Sequence, residues 1–571
     1  MFVRVKTTPN SPRKSVQIVE SIRTGDKVKQ KILRYVGIAT DDSELAKLLD
    51  VAEYIKAKIE YEHTPTLWSP EETAEMAISA RKDQLKQKKS KDDKPINVDL
   101  KKLREEQRTI VGIHEVYGKI YEELGFDNLF ASPKRNELFA KILKHIVLAR
   151  IACPKSKRAS VKMLEEDFGI SLNLDKVYTM MDKIDDAMVD RIQNKVHYAT
   201  KQVLGGKINV LFYDATTLYF ESFTEDDLKQ NGYSKDFKFN QPQVILALLV
   251  TQEGLPVGYE VFPGSFYEGH TVIPILTKLK TNYDLEKVIF VGDKGMLNED
   301  NLSFLEEHNF YYIVGARLKN LSEELTKKVL DLESYEIEDK EDKYLVIDKK
   351  DGRRVIVSHN ATRARKDKHD RDKAVEKVLK KLQKSKDPKS LISNYGYKKY
   401  ISMEGESKIG LDEDKLLKES KWDGLHGVIT NLQDREAKEV LAHYRGLWEI
   451  EESFRISKHD LKVRPIFHWV PPRVRAHLAI AFMAFSCVRH LQHRVGLQYQ
   501  RMSPEAIRWE LLHVQTSFLR HKENRKLYCI PSKVSNEAKK IYQTVGLKLS
   551  AIPFELENQK QKKQKRAKKS K

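Results

Sequence analysis

From Lys14 the chain alternates apolar and polar side chains, first through SVQIVESIR and then through KVKQKILRYVG, with Thr24-Gly25-Asp26 between them. A period of two marks half-buried strands, and the Gly-containing turn joins them, so residues 1–62 are expected to form an N-terminal β-hairpin unit. Between 63 and 108 the apolar period fades into Lys, Asp and Gln, as in a charged linker or an exposed helix. From 109 to 205 apolar residues recur at three and four, in VYGKIYEELGFDNLF, ELFAKILKHIVLARIAC, VKMLEEDFGI and VYTMMDKIDDAMVDRI. This period predicts amphipathic helices, with Pro154 and Gly169 as stops, arranged as a helix-turn-helix or a helical bundle.

After Gly205-Gly206 the texture becomes that of strands. KINVLFYDATTLYF, VILALLVTQ and GYEVF are separated by short polar stretches and are followed by KVIFVGDKG and FYYIVGAR. Three strands joined by short turns, then strands divided by helical TVIPILTKLK and NEDNLSFLEEH, predict an antiparallel meander continued by crossovers, which makes an α/β fold with a mixed sheet over 206–320. Residues 321–430 carry shorter strands, YLVID and RVIVSHN, and a basic stretch from Arg363 to Lys389. That is too long for a loop, so a β-rich insertion is expected there. Helices should resume at about Asp434 and run through 431–557, ahead of a basic tail over 558–571. The longest apolar run, Leu478–Val488, has 11 residues. It falls short of the ~20 that a spanning helix needs and reads as a buried helix. The first residues, MFVRVKTTPN, hold no apolar core of a signal peptide, so the expected location is cytoplasmic, with no membrane association.

Charge sharpens this picture. The 571 residues include 103 Lys and Arg against 83 Asp and Glu, a formal balance of +20. Such an excess is the footprint of a protein that meets a polyanion, and it directs attention to nucleic acid. Three cysteines, Cys153, Cys487 and Cys529, are too few and too scattered for a disulfide framework or a CxxC zinc site. No GxxxxGK[ST] is present, so no nucleotide cofactor is expected. The sequence also lacks GxSxG, HExxH and a GxGxxG in a strand-helix setting. His443, His459, His468 and His477 have no ligand spacing and read as surface or phosphate-adjacent residues.

Three carboxylates stand out. Asp214 follows the apolar run Leu211-Phe212-Tyr213, and Asp293 follows Val288–Val291 with Gly292 between. Both are expected at strand ends, where a carboxylate is held rigidly and faces the crevice beyond the sheet. Glu451 lies in DREAKEVLAHYRGLWEIEESFRISKHD, seven residues from both Tyr444 and Lys458, so on one continuous helix all three share a face. Glu451 then falls on the apolar stripe, and Glu449 and Glu452 fall on the solvent side. An acid on an inward face must be paired, protonated or bound to a cation. Two strand-end aspartates and a helical glutamate in a basic chain are the parts of a two-ion site for phosphodiester chemistry, with hard oxygen ligands suited to Mg²⁺ or Mn²⁺.

The segments SVQIVES, LFYDATTLYFES, VGDKGM and YRGLWEIEESFRISKHDLKVRP resemble insertion-sequence transposases of the DDE type, in the branch with a Tyr-x2-Arg-x3-Glu-x6-Lys signature. Tyr444, Glu451 and Lys458 fall on that signature, and Leu447 stands at its arginine position, with Arg445 and Arg455 nearby. The resemblance implies a ribonuclease H-like catalytic core interrupted by the β-rich insertion, with 109–205 as a helical DNA-binding region. It further implies Asp214, Asp293 and Glu451 as catalytic ligands of Mg²⁺ or Mn²⁺, two ions in all. Tyr444, Lys458, Arg445 and Arg455 would bind DNA. Implied partners are double-stranded DNA, both terminal inverted repeats and target, and a second copy in a homodimeric synaptic complex, in a prokaryotic, nucleoid-associated setting. The implied activity is cleavage at the element ends followed by strand transfer. Alternatives are an inactive DNA-binding relative and a nuclease that cuts without joining.

Overall fold

The computed structural model describes the chain apart from residues 8–13, 25–26, 40–41, 64–68, 90–97, 131, 222, 234–239, 283–287, 297, 338–341, 385–400, 405–407, 550 and 557–571. It divides into two compact units, Met1–Asp99 and Leu100–Lys571. The first contains an antiparallel sheet of β1 (Phe2–Thr7), β2 (Lys14–Thr24) and β3 (Lys27–Ala39), in that order. The predicted hairpin is β2–β3, closing on the pair Thr24 and Lys27, and its turn at 25–26 lies outside the described residues. The pairing shifts register at Val16/Gln17 and Ile18/Val19, where β3 carries the extra residues Val36 and Leu33. Helix α1 (Asp42–His63) packs on β2 and β3, and α2 (Pro70–Lys89) packs on α1. The unit therefore continues past the boundary expected at 62. Its second helix starts at a capping box, in which the Glu72 carboxylate accepts the Ser69 N–H at 2.9 Å and the Ser69 hydroxyl accepts the Glu72 N–H at 3.2 Å.

In the second unit, β4 (Leu103–Ile110) precedes helices α3 (Gly112–Glu123), α4 (Pro133–Ala152), α5 (Lys157–Phe168), α6 (Leu174–Met181) and α7 (Asp186–Val203). Gly169, at φ +68°, ends α5 as predicted. The segment VYTMMDKIDDAMVDRI becomes two helices because Asp185 caps the second, accepting the Met188 N–H at 2.8 Å. The five helices share one hydrophobic core with the central sheet; α3, α4, α5 and α6 pack on one another, whereas α7 packs on β7 and on helix Pro471–Gln498.

That sheet is mixed. Its strands are β5 (Val210–Tyr219), β6 (Gln243–Thr251), β7 (Pro256–Pro263), β8 (Ile289–Gly292), β9 (Tyr311–Gly315), β10 (Glu336–Ile337), β11 (Asp342–Asp348) and β12 (Arg354–Asn360). After a separate hairpin of β13 (Ile401–Glu404) and β14 (Lys408–Leu411), β15 (Leu425–Thr430) completes it. The order is β10-β11-β12-β15-β9-β8-β5-β6-β7. The antiparallel meander β5-β6-β7 and the parallel β5-β8-β9 run are those predicted. Alternation along β5 sends Phe212, Leu218 and Phe220 into the core shared with α3–α7, and Leu211, Tyr213 and Ala215 into a second core on the opposite face.

Two expectations are corrected. The stretch 321–430 does not stand apart as a β-rich insertion, because β15 pairs with β9 and β12 pairs with β15, so its main strands extend the core sheet. It also holds a helix of 24 residues, Ala361–Lys384. The C-terminal part is not purely helical: β16 (Gln515–His521), β17 (Leu527–Pro531) and β18 (Phe554–Leu556) form a sheet whose far edge is β4. Leu478–Val488 lies in the buried middle of helix Pro471–Gln498. Among the described residues no helix is long and apolar enough to cross a membrane. The basic tail lies outside them.

Candidate active site

Parallel pairing of β5 with β8 sets Tyr213 opposite Gly292, so the next residue on each strand, Asp214 and Asp293, stand side by side. Asp293 is at a strand end, as expected. Asp214 is not: β5 runs on to Tyr219, and the acid sits in its interior, on the face that also holds Phe212. It is half-buried, and one carboxylate oxygen accepts the Ala215 N–H at 2.8 Å.

The predicted continuous helix is three pieces: Ala437–Arg445, Trp448–Arg455 and a π-turn over Ile456–Asp460. Gly446 makes the first joint, and a Cβ there would stand 2.7 Å from the ring of Phe212 on β5, so only glycine lets the joint lie on the sheet. Hydrogen bonds tighten to i→i+3 across it, from Leu447 N–H to Tyr444 C=O at 3.0 Å and from Glu449 N–H to Gly446 C=O at 3.0 Å. Each tightened residue turns the chain by about 120° in place of about 100°, which changes the phase of everything after it. The result reverses the expected roles of two glutamates. Glu451 is exposed to the cleft, and Glu449 is buried. Glu449 accepts from Arg489 at 2.8 Å and from Arg501 at 3.1 Å, which ties this helix to Pro471–Gln498.

Asp214, Asp293 and Glu451 line one cleft of about 540 Å³. Their donor set, carboxylate oxygen throughout, fits a hard divalent cation. Among the described residues no three side chains of Asp, Glu, His or Cys converge tightly enough to cage a single ion, so the set fits such ions in donor chemistry and in sharing a cleft, without forming one three-ligand cage.

Tyr444, expected to contact phosphate, lines the same cleft. Burial first, and the negative charge of the nearby Asp293 carboxylate next, push the Tyr444 hydroxyl's pKa well above the ordinary range, so it stays protonated. Gly315 makes room for this hydroxyl, since a Cβ there would lie 2.6 Å from the Tyr444 oxygen and 2.9 Å from the Lys294 nitrogen. Gly315→Ala and Tyr444→Phe are each expected to lower turnover by about 10–100-fold through misplacement of Asp293. Cleavage rates beside thermal melting check this, since an unchanged rate in both variants would deny Tyr444 a positioning role.

Lys458 donates to the Thr216 hydroxyl, two residues beyond Asp214 on the same strand face. Arg445 lines the cleft beside Asp342, at 3.7 Å, whereas Arg455 turns to Glu452 at 2.6 Å and to Asp460 at 3.7 Å and does not reach the cleft lining. Leu447 lines the cleft and packs against the core. His426, Arg363 and Asp342 also line it, and sequence reasoning missed them because they come from the stretch read as a separate insertion. Burial, reinforced by Arg363, pushes the His426 imidazole down to about 4, so it is neutral at pH 7. A wider depression of about 920 Å³ shares Asp293, Arg363 and His426 with the first and adds Lys294 and Arg317.

Residues 205–487 match the family model described as the transposase DDE domain. No curated protein sequence matches the chain. Among solved structures, the piggyBac transposase synaptic complex with hairpin DNA shares 7% identity over 71% of this chain and 79% of that one, at a TM-score of 0.37. The Mos1 transposase paired-end complex with the left transposon end shares 12% identity over 48% of this chain and 78% of that one, at a TM-score of 0.14.

Proposed function

With residues 205–487 matching a transposase DDE domain, we propose that this chain is a DNA transposase that cuts at the ends of its own insertion sequence and joins them to target DNA. The observation that carries the reading is the meeting of Asp214, Asp293 and Glu451 in one cleft from three separate elements. The fold reading that accompanies it is a ribonuclease H-like core, supported by the meander β5-β6-β7 continued into parallel β8 and β9. The branch reading rests on Tyr444, Glu451 and Lys458.

The three carboxylates would hold Mg²⁺ or Mn²⁺, which when bound supplies Lewis-acid stabilisation of phosphoryl oxygens and a nucleophile at neutral pH. Tyr444, its protonated hydroxyl beside the Asp293 carboxylate, helps to position that acid. Lys458, held at Thr216, places positive charge beside Asp214 for the scissile strand, while Arg363 and Arg445 face the same cleft and hold neighbouring phosphates. Leu447, where the signature has arginine, contributes apolar packing in place of a phosphate contact. Two copies would pair two ends.

The test is incubation of the purified chain with Mg²⁺ or Mn²⁺ and a plasmid carrying the gene with its native flanks. Nicks at the flanks and joined products are expected. Nicks without joining would leave a nuclease, and binding without nicks across metals would leave the inactive relative. Affinity for the flanks should also fall steeply between 50 and 200 mM salt, by roughly 10³-fold or more if six or more phosphates are contacted. A flat salt response would remove the polyanion reading.

A further inference from the structure

The segment Leu461–Val470 links the Lys458 turn to helix Pro471–Gln498, and behind it four basic side chains gather outside the carboxylate cleft. Arg150 comes from the last turn of α4, Lys157 from the first position of α5, His468 from the link and His477 from the long helix. Arg150, Lys157 and His477 are only 4–5% exposed. Arg150 donates to the carbonyls of Leu461 at 2.9 Å and Lys462 at 3.3 Å, the His477 ring lies 3.1 Å from the Val463 carbonyl, and the two imidazoles are 5.2 Å apart.

Among the described residues no carboxylate pairs with any of the four. The charges that act on them are one another's: Arg150 on Lys157, and both of these on each histidine. Arg473, which also acts on His468, is itself engaged by Asp182 at 2.7 and 2.9 Å. Arg150 Nε and His477 Nδ1 are buried without a hydrogen-bond partner. Elsewhere this fold supplies acids to its buried arginines, Glu449 to Arg489 and Glu299 with Glu306 to Arg353. Cations taken out of water need an anion, and here the chain provides none.

The surroundings specify which anion. Lys157 stands at the positive end of a 12-residue helix, with exposed Lys155 and Arg158 beside it in sequence. Phe467 and Trp469, on either side of His468, are 61% and 72% exposed. Aromatic rings held in solvent next to cations suit a nucleic-acid strand, which offers phosphates and stacking faces together, and do not suit a lone inorganic ion. We propose that the Arg150–Lys157–His468–His477 cluster takes one backbone phosphate of bound DNA, with Phe467 and Trp469 against the adjoining nucleotides. It is a docking point separate from the carboxylate cleft. The DNA assignment rests on the function proposed above; the need for an anion does not.

The full chain, Lys157→Met and His468→Gln are compared in two assays, with His468→Gln as the safeguard should Lys157→Met fail to fold. In thermal unfolding at constant ionic strength, inorganic phosphate should raise the Tm of the parent and lose that effect in both variants. Without phosphate, Lys157→Met should melt no lower than the parent, because an unpaired buried cation is gone. In binding to a duplex of the native flanks, both variants should lose several-fold in affinity, and the log–log salt slope should fall by about 0.9 for the one lost phosphate contact. Trp469→Ala, on an exposed side chain, should weaken DNA binding and keep the phosphate effect. Equal phosphate effects in the parent and variants would overturn the anion site. A lost phosphate effect with unchanged DNA affinity and slope would overturn the DNA assignment. If the parent binds no DNA at all, that assignment falls together with the proposed function, while the phosphate assay still decides the anion site.

Discussion

Replacing Asp214 by Asn, or Glu451 by Gln, is expected to reduce DNA cleavage by about 10³-fold or more, with affinity for the same DNA within a few-fold of the parent. Each change removes a carboxylate charge without changing side-chain size. Neither residue carries the packing of its element: β5 is held by buried neighbours on both sides of Asp214, and Glu451 is exposed. The positive groups that would hold the strand, Lys458, Arg363 and Arg445, remain. Cleavage and binding measured on one preparation separate the two roles. If binding fell in step with cleavage, the carboxylates would be supporting the DNA surface, and their assignment as catalytic residues would fail. Because Asp214 and Glu451 would serve one reacting centre, the double variant should be hardly slower than either single one.

The largest loss of stability is expected at Glu449→Ala, about 3–5 kcal/mol, read from denaturant or thermal unfolding. Arg489 is 3% exposed, and the change would leave its guanidinium buried without the carboxylate it now meets at 2.8 Å. The same guanidinium donates to the Gly254 carbonyl at 2.6 Å in the turn between β6 and β7. A Cβ on Gly254, which has φ +73°, would lie 1.4 Å from an Arg489 nitrogen and 2.6 Å from a Glu449 oxygen, so the hairpin, the long helix and the Glu451 helix meet at one point. Glu449→Ala should therefore lower cleavage as well, through displacement of Glu451. Removing both charges, as Glu449→Leu with Arg489→Met, should recover much of the stability, because two fitted apolar side chains avoid the desolvation that the ion pair must offset. By contrast, Glu452 pairs with Arg455 near the surface, and Glu452→Ala should cost under about 1 kcal/mol. Equal effects of the two glutamate changes would contradict the burial that separates them.

The strands β5 to β9, the helices between Gly112 and Val203, the two aspartates and the basic balance were all legible in the sequence. Each is a property of a short window: a period of two or three to four, a stop at Gly169, or an acid directly after an apolar run. Even the link between Tyr444, Glu451 and Lys458 is a spacing. What the window does not contain is direction in space once an element is interrupted. A helical period assigns faces only while the turn per residue is constant, and the tightened joint at Gly446 and the π-turn after Arg455 both change it. The buried acid is therefore Glu449, and Glu451 opens to the cleft. Pairings between distant segments lie equally outside any local pattern. Only the closing of the sheet puts β15 beside β9, which brings His426 to Asp293 from a stretch that reads as a separate insertion, and only tertiary packing sets β4 against β16 or collects Arg150, Lys157, His468 and His477 from three helices and a link. The sequence determined which candidate groups this chain carries; long-range burial and changes of helical phase decided which of them meet in one cleft.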